Sequence, residues 1–512
     1  MGERLKRVTK FIAIVSLMIL FVISGCGSDV SSTNSPQSQD SNGSQPTSSP
    51  PIVGDAMTFA TPGMTFNFGE SGKQPAGKLA WTFEKNKFDQ GYYSSIHSNT
   101  VISNDIIYFS LAGASGNKVS GMANGTLFAI NYQTGQEKWN APFSFSKLIA
   151  SNDIVIGIGP SSSNGATFLT VLDAKDGKTK WAVDLPGGVN SPPILSDGKI
   201  LLAESSKKNS YNSYSSTSTS QLTDNIVAYD ASGGQEKWRF PSSGFTNATL
   251  ENGPMSANGL VYFIGLNDNQ PFGVFDMLYA VDTNSGQEKW TWKPENRNNM
   301  TAPVVVDGVI YVAALEDYNK SDSNAPKDPK YFLYAFDAQT GQEKWNAKTD
   351  FKGIPFVSAD KDNVYVLNGG RDDYRGPDFS EPLVAFDSKS GKQKWNYTVN
   401  YVYAGMGKFE ASLPVPAVAN GIVYITTTAE VKDQPFNDSV VIGLDSATGT
   451  EKFRYKHQYL PNGVINDYAH YQAAGADVFN KYNDGNYFIR RPIYYNGMLF
   501  VTDGLGRLYG VQ

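Results

Sequence analysis

Few residues in this chain have the type and spacing that chemistry requires. His97, His457 and His470 share no spacing with one another, so they do not form a set of metal ligands or an acid–base group. Cys26 is the only cysteine, which leaves no intrachain disulfide, and there is no C-x-x-C-H haem attachment. The acidic stretches around Glu316–Asp322 and Asn483–Asn486 lack the D-x-[DN]-x-[DN]-G order of a calcium hand and read as turns. Four polar residues stand just ahead of apolar segments: Glu251, Asn252, Arg490 and Arg491. The first two could bring oxygen ligands to a cation such as Ca2+, and the two arginines could balance an anion. Their expected role is plainer, a solvated rim, and no metal site is expected.

The elements that would position such residues are legible from a repeat. The clearest copy runs Ala335-Phe-Asp337-Ala-Gln-Thr340-Gly341-Gln-Glu-Lys-Trp345. Related phrases end at Trp81, Trp139, Trp181, Trp238, Trp290, Trp395 and, with a substitution, Phe453, at spacings of 58, 42, 57, 52, 55, 50 and 58 residues. Each unit holds four strand-like segments. Within 301–345 these are Ala302–Val306, Val309–Leu315, Phe332–Asp337 and a segment beginning at Glu343, with Asp307-Gly308 as a hairpin turn. Further hairpin signals recur around Asn104-Asp105, Asn152-Asp153, Asp197-Gly198, Asn258-Gly259, Asp362-Asn363, Asn420-Gly421 and Asn496-Gly497. A period near fifty with four strands predicts an all-β, eight-bladed propeller of four-stranded antiparallel blades. Gly77–Trp81 is a fourth strand without its first three, and Arg507–Gln512 is a third strand without its fourth. Pairing the two closes the ring. In this reading the seven indoles and Phe453 dock each blade against the next, and each can bury ~150–250 Å² there.

The amino terminus carries a different signal. Arg4, Lys6, Arg7 and Lys10 precede an apolar run from Phe11 to Val22, and Ile23-Ser24-Gly25-Cys26 follows. The run is shorter than the ~20 residues of a spanning helix and reads as an export signal. Its last four residues resemble the lipobox of bacterial lipoproteins, which implies cleavage before Cys26 and lipid on its thiol. Residues 1–25 are therefore expected to be a signal peptide. Residues 26–56, rich in Ser, Asn, Gln and Pro, are expected to be a disordered tether, and 57–512 the propeller. Setting aside the four basic groups and Glu3 of the leader takes the net charge from −6 to −9. Such an acidic body argues against nucleic acid as a partner.

The repeated phrase resembles the tryptophan-docking motif of the pyrroloquinoline quinone (PQQ) dehydrogenase-like propellers. Combined with the lipobox, the chain resembles the BamB-type outer-membrane assembly lipoproteins over residues 76–512. That resemblance implies a non-enzymatic envelope lipoprotein that binds protein or other envelope partners, with no cofactor, anchored on the outer side of the cytoplasmic membrane or on the outer membrane. The alternative it implies is a quinoprotein dehydrogenase oxidising an alcohol or sugar with axial PQQ and Ca2+. Many of those enzymes carry adjacent disulfide-bonded cysteines beside the quinone, whereas the only cysteine here is Cys26.

Loop lengths break the symmetry. The long segments are 111–125, 205–225, 316–330, 368–382, 400–413 and 456–490, all between second and third strands or between blades, so all emerge on one face. Loops on a rigid scaffold are where binding residues concentrate. The last segment holds Tyr459, Tyr468, Tyr471, Tyr482 and Tyr487, followed by Arg490 and Arg491. It is a candidate recognition surface, or equally a lid packing on itself over the channel. The Ser/Thr-rich 205–225 reads as a mobile loop without a partner.

Overall fold

A computed structural model describes residues 75, 77–85, 98–111, 125–151, 153–160, 167–189, 192–206, 223–246, 254–267, 275–294, 297–298, 300–316, 331–351, 355–368, 378–402, 415–429, 438–457, 492–502 and 507–512. Among them there are strands and turns but no helix, and the strands form eight antiparallel sheets arranged as a propeller. Blade 1 spans 101–141, blade 2 147–185, blade 3 188–246, blade 4 255–292, blade 5 297–348, blade 6 356–402 and blade 7 417–457. Blade 8 combines three strands from 493–511 with Leu79–Phe83.

The second strand of blade 5, Val309–Glu316, shows why these sequences fold this way. In most half-buried strands apolar and polar residues alternate, yet here the run is continuously apolar. Ile310, Val312 and Ala314 pack against blade 4, while Tyr311, Ala313 and Leu315 pack toward blade 6. A strand pressed between two neighbouring blades has no wet side. The outermost strand, Glu343–Lys348, has one, and its residues alternate between exposed and half-buried. The core thus lies between blades, as a series of apolar clusters around the ring.

The hairpins joining first to second strands are tight. Asp307 and Gly308 both adopt positive φ, at 48° and 75°, and the same pair of left-handed residues occurs at 104–105, 197–198, 258–259, 420–421 and 496–497. That geometry matches the right-handed twist of the strands it joins. Blade 6 departs from the expectation. Its turn is Lys361-Asp362 rather than Asp362-Asn363, because Asp360 Oδ1 caps the amides of Asp362 (2.8 Å) and Asn363 (2.7 Å), and Asn363 already begins the next strand.

Chain ends complete the ring. Leu79–Phe83 pairs antiparallel with Leu508–Val511, and Lys78 and Gln512 exchange two backbone hydrogen bonds of 2.8 Å. Two further differences concern strand limits. The inner edges of blades 3 and 5 are split in two, with Gly188–Val189 and Arg297–Asn298 added beyond the main first strand. Some segments read as loop are partly strand. Third and fourth strands of blade 6 run over Asp378–Asp387 and Gln393–Val402, and the third strand of blade 3 begins at Thr223. Cross-strand pairing here continues past the apolar stretch, so it left no hydrophobic trace in the sequence.

Candidate functional site

The rigid frame behind any site is a repeated interblade joint. Each indole donates its Nε1 hydrogen to a backbone carbonyl of the following blade: Trp81 to Tyr132 at 2.9 Å, Trp139 to Ala174, Trp181 to Ala231, Trp238 to Thr283, Trp345 to Ser388 and Trp395 to Ser446 at 3.0 Å, and Trp290 to Ala338 at 3.1 Å. The acceptor always follows the Asp, or the Asn131 that replaces it, at the third-to-fourth-strand corner. In the clearest copy Asp337 Oδ1 accepts from the amides of Gln339 (3.2 Å) and Thr340 (3.0 Å) and from the Thr340 hydroxyl (2.9 Å). Such bonds hold the corner carboxyls below their ordinary range. That of Asp282 lies at about 2, chiefly through the Ser285 amide. Opposite each docking ring in the cross-strand register stands a small residue, Ala335 facing Trp345 and Gly510 facing Trp81, with Val171 the one larger partner.

A second set of docking residues escaped the sequence reading. Tyr108, Tyr262 and Tyr311 each aim a buried hydroxyl at the carbonyl their own blade's tryptophan binds, at 3.4, 3.1 and 3.2 Å. Each tyrosine lies 5.8–6.0 Å from that indole, centroid to centroid. The signal was available: a tyrosine stands third after the hairpin turn at 108, 262, 311, 365 and 424, and a phenylalanine at 500.

Burial pushes the Tyr262 and Tyr311 hydroxyls up to about 12. A group raised above its unfolded value of ~10 stabilises the fold fully below that pH and loses this contribution as pH rises through the folded value. Thermal melts at rising pH should therefore lose stability between about 10 and 12, and Tyr262→Phe should flatten that decline.

Polar residues at the start of the inner strands have structural work among the described residues. The hydroxyls of Ser98 and Thr301 accept the second-strand amides of Ser110 (2.7 Å) and Ala313 (2.9 Å), and Ser146 Oγ donates to Ile158 O at 3.2 Å. Glu251, Asn252, Arg490 and Arg491, their counterparts in the sequence reading, lie outside the described residues. So do Cys26, Tyr459, Tyr468, Tyr471, Tyr482 and Tyr487. Among the described residues no three His, Cys, Asp or Glu side chains cluster as metal ligands. One acid is buried toward the loop end of blade 3, Glu204. Arg239 Nη2 lies 3.0 Å from it, yet burial dominates and raises the carboxyl above its ordinary value.

The chain leaves the described residues repeatedly at one end of the blades. Register places Leu111 beside Thr126, Ser206 beside Thr223, Leu315 beside Tyr331 and Ala429 beside Asp438, each pair flanking a connection between second and third strands. The opposite end carries only tight turns, tied across blades by bonds such as Thr283 Oγ1 to Asp197 Oδ2 (2.8 Å) and Lys199 Nζ to Asn284 Oδ1 (2.7 Å). Among the described residues, one end of the blades is tied by tight turns and the other flanks these longer connections.

Comparison with known proteins matches residues 222–401 and 330–493 to the family described as outer membrane protein assembly factor BamB. No curated protein matches the chain. Similar solved structures include BamB from Moraxella catarrhalis, 16% identical with a TM-score of 0.46, covering 85% of this chain and 97% of that one. The computationally designed protein Ika8 is 12% identical with a TM-score of 0.47, covering 85% and 99%. A europium-containing methanol dehydrogenase is 13% identical with a TM-score of 0.44, covering 80% and 86%. With its eight docked blades and a family match that spans more than half its length, the chain belongs to the outer membrane protein assembly factor BamB family.

Proposed function

We propose that this protein is a non-enzymatic scaffold of the cell envelope, holding a protein partner on its loop-bearing face. The observation that carries the reading is the family match over residues 222–493. The one-sided distribution of long connections supports it, because a rigid ring presents such loops together while its turn face is satisfied internally. The docking indoles do not serve a ligand in this reading. Their N–H groups are bound to backbone carbonyls of the next blade, and seven equivalent positions cannot all meet one molecule. Export, cleavage before Cys26 and lipidation there belong to the same proposal, with residues 26–56 as the tether. Several acyl chains hold a protein at a membrane, where a single chain binds only reversibly.

Two measurements test the proposal. Cys26→Ser should move the protein from the membrane to the soluble fraction, while retention on the membrane would remove the lipid anchor from the account. Purified protein incubated with PQQ and Ca2+ should keep no quinone absorbance after desalting and should reduce no dye with alcohol or sugar. Tight quinone retention with turnover would replace the scaffold by a dehydrogenase.

A further inference from the structure

Seven of the eight interblade joints are built alike, and the eighth differs in its docking ring and in the length of the connection that crosses it. Between blades 7 and 8 the docking ring is Phe453, which has no N–H to offer the neighbouring backbone. In the seven tryptophan joints the ring lies so close to the next blade's turn glycine that an added Cβ would come within 2.5–2.7 Å of it. At Phe453 and Gly77 that distance is 3.6 Å. The connection from His457 to Ile493 is also far longer than any other between blades, the next being that from Phe83 to Val101. Across this joint Tyr424 stacks on Tyr494 (5.8 Å), Asn420 Nδ2 donates to Tyr494 Oη (2.8 Å), and apolar side chains of the two blades share one buried cluster.

The other side of blade 8 is firmly held. Trp81 donates to Tyr132 O, Tyr495 Oη donates to Asp105 Oδ1 at 3.0 Å, and Tyr132 meets Tyr495 edge-on at 5.0 Å. Phe83 adds contacts to Phe109 and Phe128 at 5.5 and 5.4 Å. The backbone pairing between Leu79–Phe83 and Leu508–Val511 lies within blade 8 itself, so parting the Phe453 joint leaves that sheet intact.

We infer that the ring has one built-in line of parting, between blades 7 and 8, with blade 8 remaining docked on blade 1. Closure of the chain ends and opening of the ring are then separate events in separate places. The sheet seam stays zipped while the joint beside it breathes. Such a joint lets the ring widen without unfolding a blade, as the low-stability parts of a structure do for motion. This inference stands apart from the identity of any partner.

Val441 and Leu383 occupy equivalent third-strand positions in blades 7 and 6, each opposite a tyrosine two residues past the docking ring, and both are fully buried. In the full chain carrying Cys26→Ser, thiols introduced by Val441→Cys and by Leu383→Cys are labelled under native conditions. The first should react about 5- to 10-fold faster, the factor that one hydrogen bond carries. Phe453→Ala should accelerate the first and leave the second unchanged. Equal rates, or faster reaction at Leu383→Cys, would overturn the inference. If either variant does not fold, hydrogen exchange on the unaltered chain decides. Amides of Asp438–Asp445 should exchange faster than those of Tyr331–Asp337, and equal protection would count against the inference.

Discussion

Trp395→Ala should lower the free energy of unfolding by about 3–5 kcal/mol, the range for removing a large buried aromatic side chain. Trp395 is 9% exposed, stacks near Tyr365 at 5.9 Å and donates to Ser446 O. Truncation leaves a cavity between blades 6 and 7 and removes that donor. Trp395→Phe keeps most of the ring and should cost only about 1–2 kcal/mol, since one neutral hydrogen bond is worth roughly 1 kcal/mol net. The Ser446 carbonyl also retains its second donor, Asn363 Nδ2 at 3.2 Å. Denaturant melts of the three proteins check the order. Equal losses for alanine and phenylalanine would place the energy in the N–H rather than in the wedge.

Two glycines with the same backbone angle should respond differently to alanine. Gly449 and Gly308 have φ of 72° and 75°, so any L-residue is strained at either position. Gly308 faces open space, with nothing within 4 Å of a built Cβ, and Gly308→Ala should cost about 1 kcal/mol from backbone strain alone. At Gly449 the new Cβ would lie 2.6 Å from Cε3 of Trp395. Gly449→Ala therefore adds overpacking to strain and should cost roughly 2–5 kcal/mol. The comparison separates two reasons for glycine that the sequence alone runs together. If the two variants melted alike, the glycine–indole contact would carry no weight.

That pair of glycines shows where legibility ended. The repeated phrase located the corner, and its glycine announced a positive φ, because local backbone chemistry is written locally. Stacking of Trp395 on Gly449 joins residues fifty-four apart and becomes visible only once the blades are set side by side. The eight blades and the pairing of Leu79–Phe83 with Leu508–Val511 were readable for the same local reason: half a phrase at each end of the chain. Tyr262 and Tyr311 were missed because a tyrosine in an apolar strand reads as filling, and only its 3.1–3.2 Å approach to a shared carbonyl gives it a second role. Blade 6's turn was misplaced by one residue because an Asp cap at Asp360, rather than an Asn-Gly pair, sets it. The tyrosine-rich segment around Tyr468 and Tyr482 carries no repeat, so its composition alone fits a recognition surface and a self-packing lid equally.

The most direct test of the scaffold reading compares the two faces in living cells. Photo-crosslinking residues are placed at Tyr468 and Tyr482 of the long 456–490 connection and at Gln339 and Lys389 in the tight turns, in the full-length chain. Covalent adducts with one envelope protein from the first pair, and none from the second, are the predicted result. Adducts distributed equally over both faces, or confined to the turns, would contradict it.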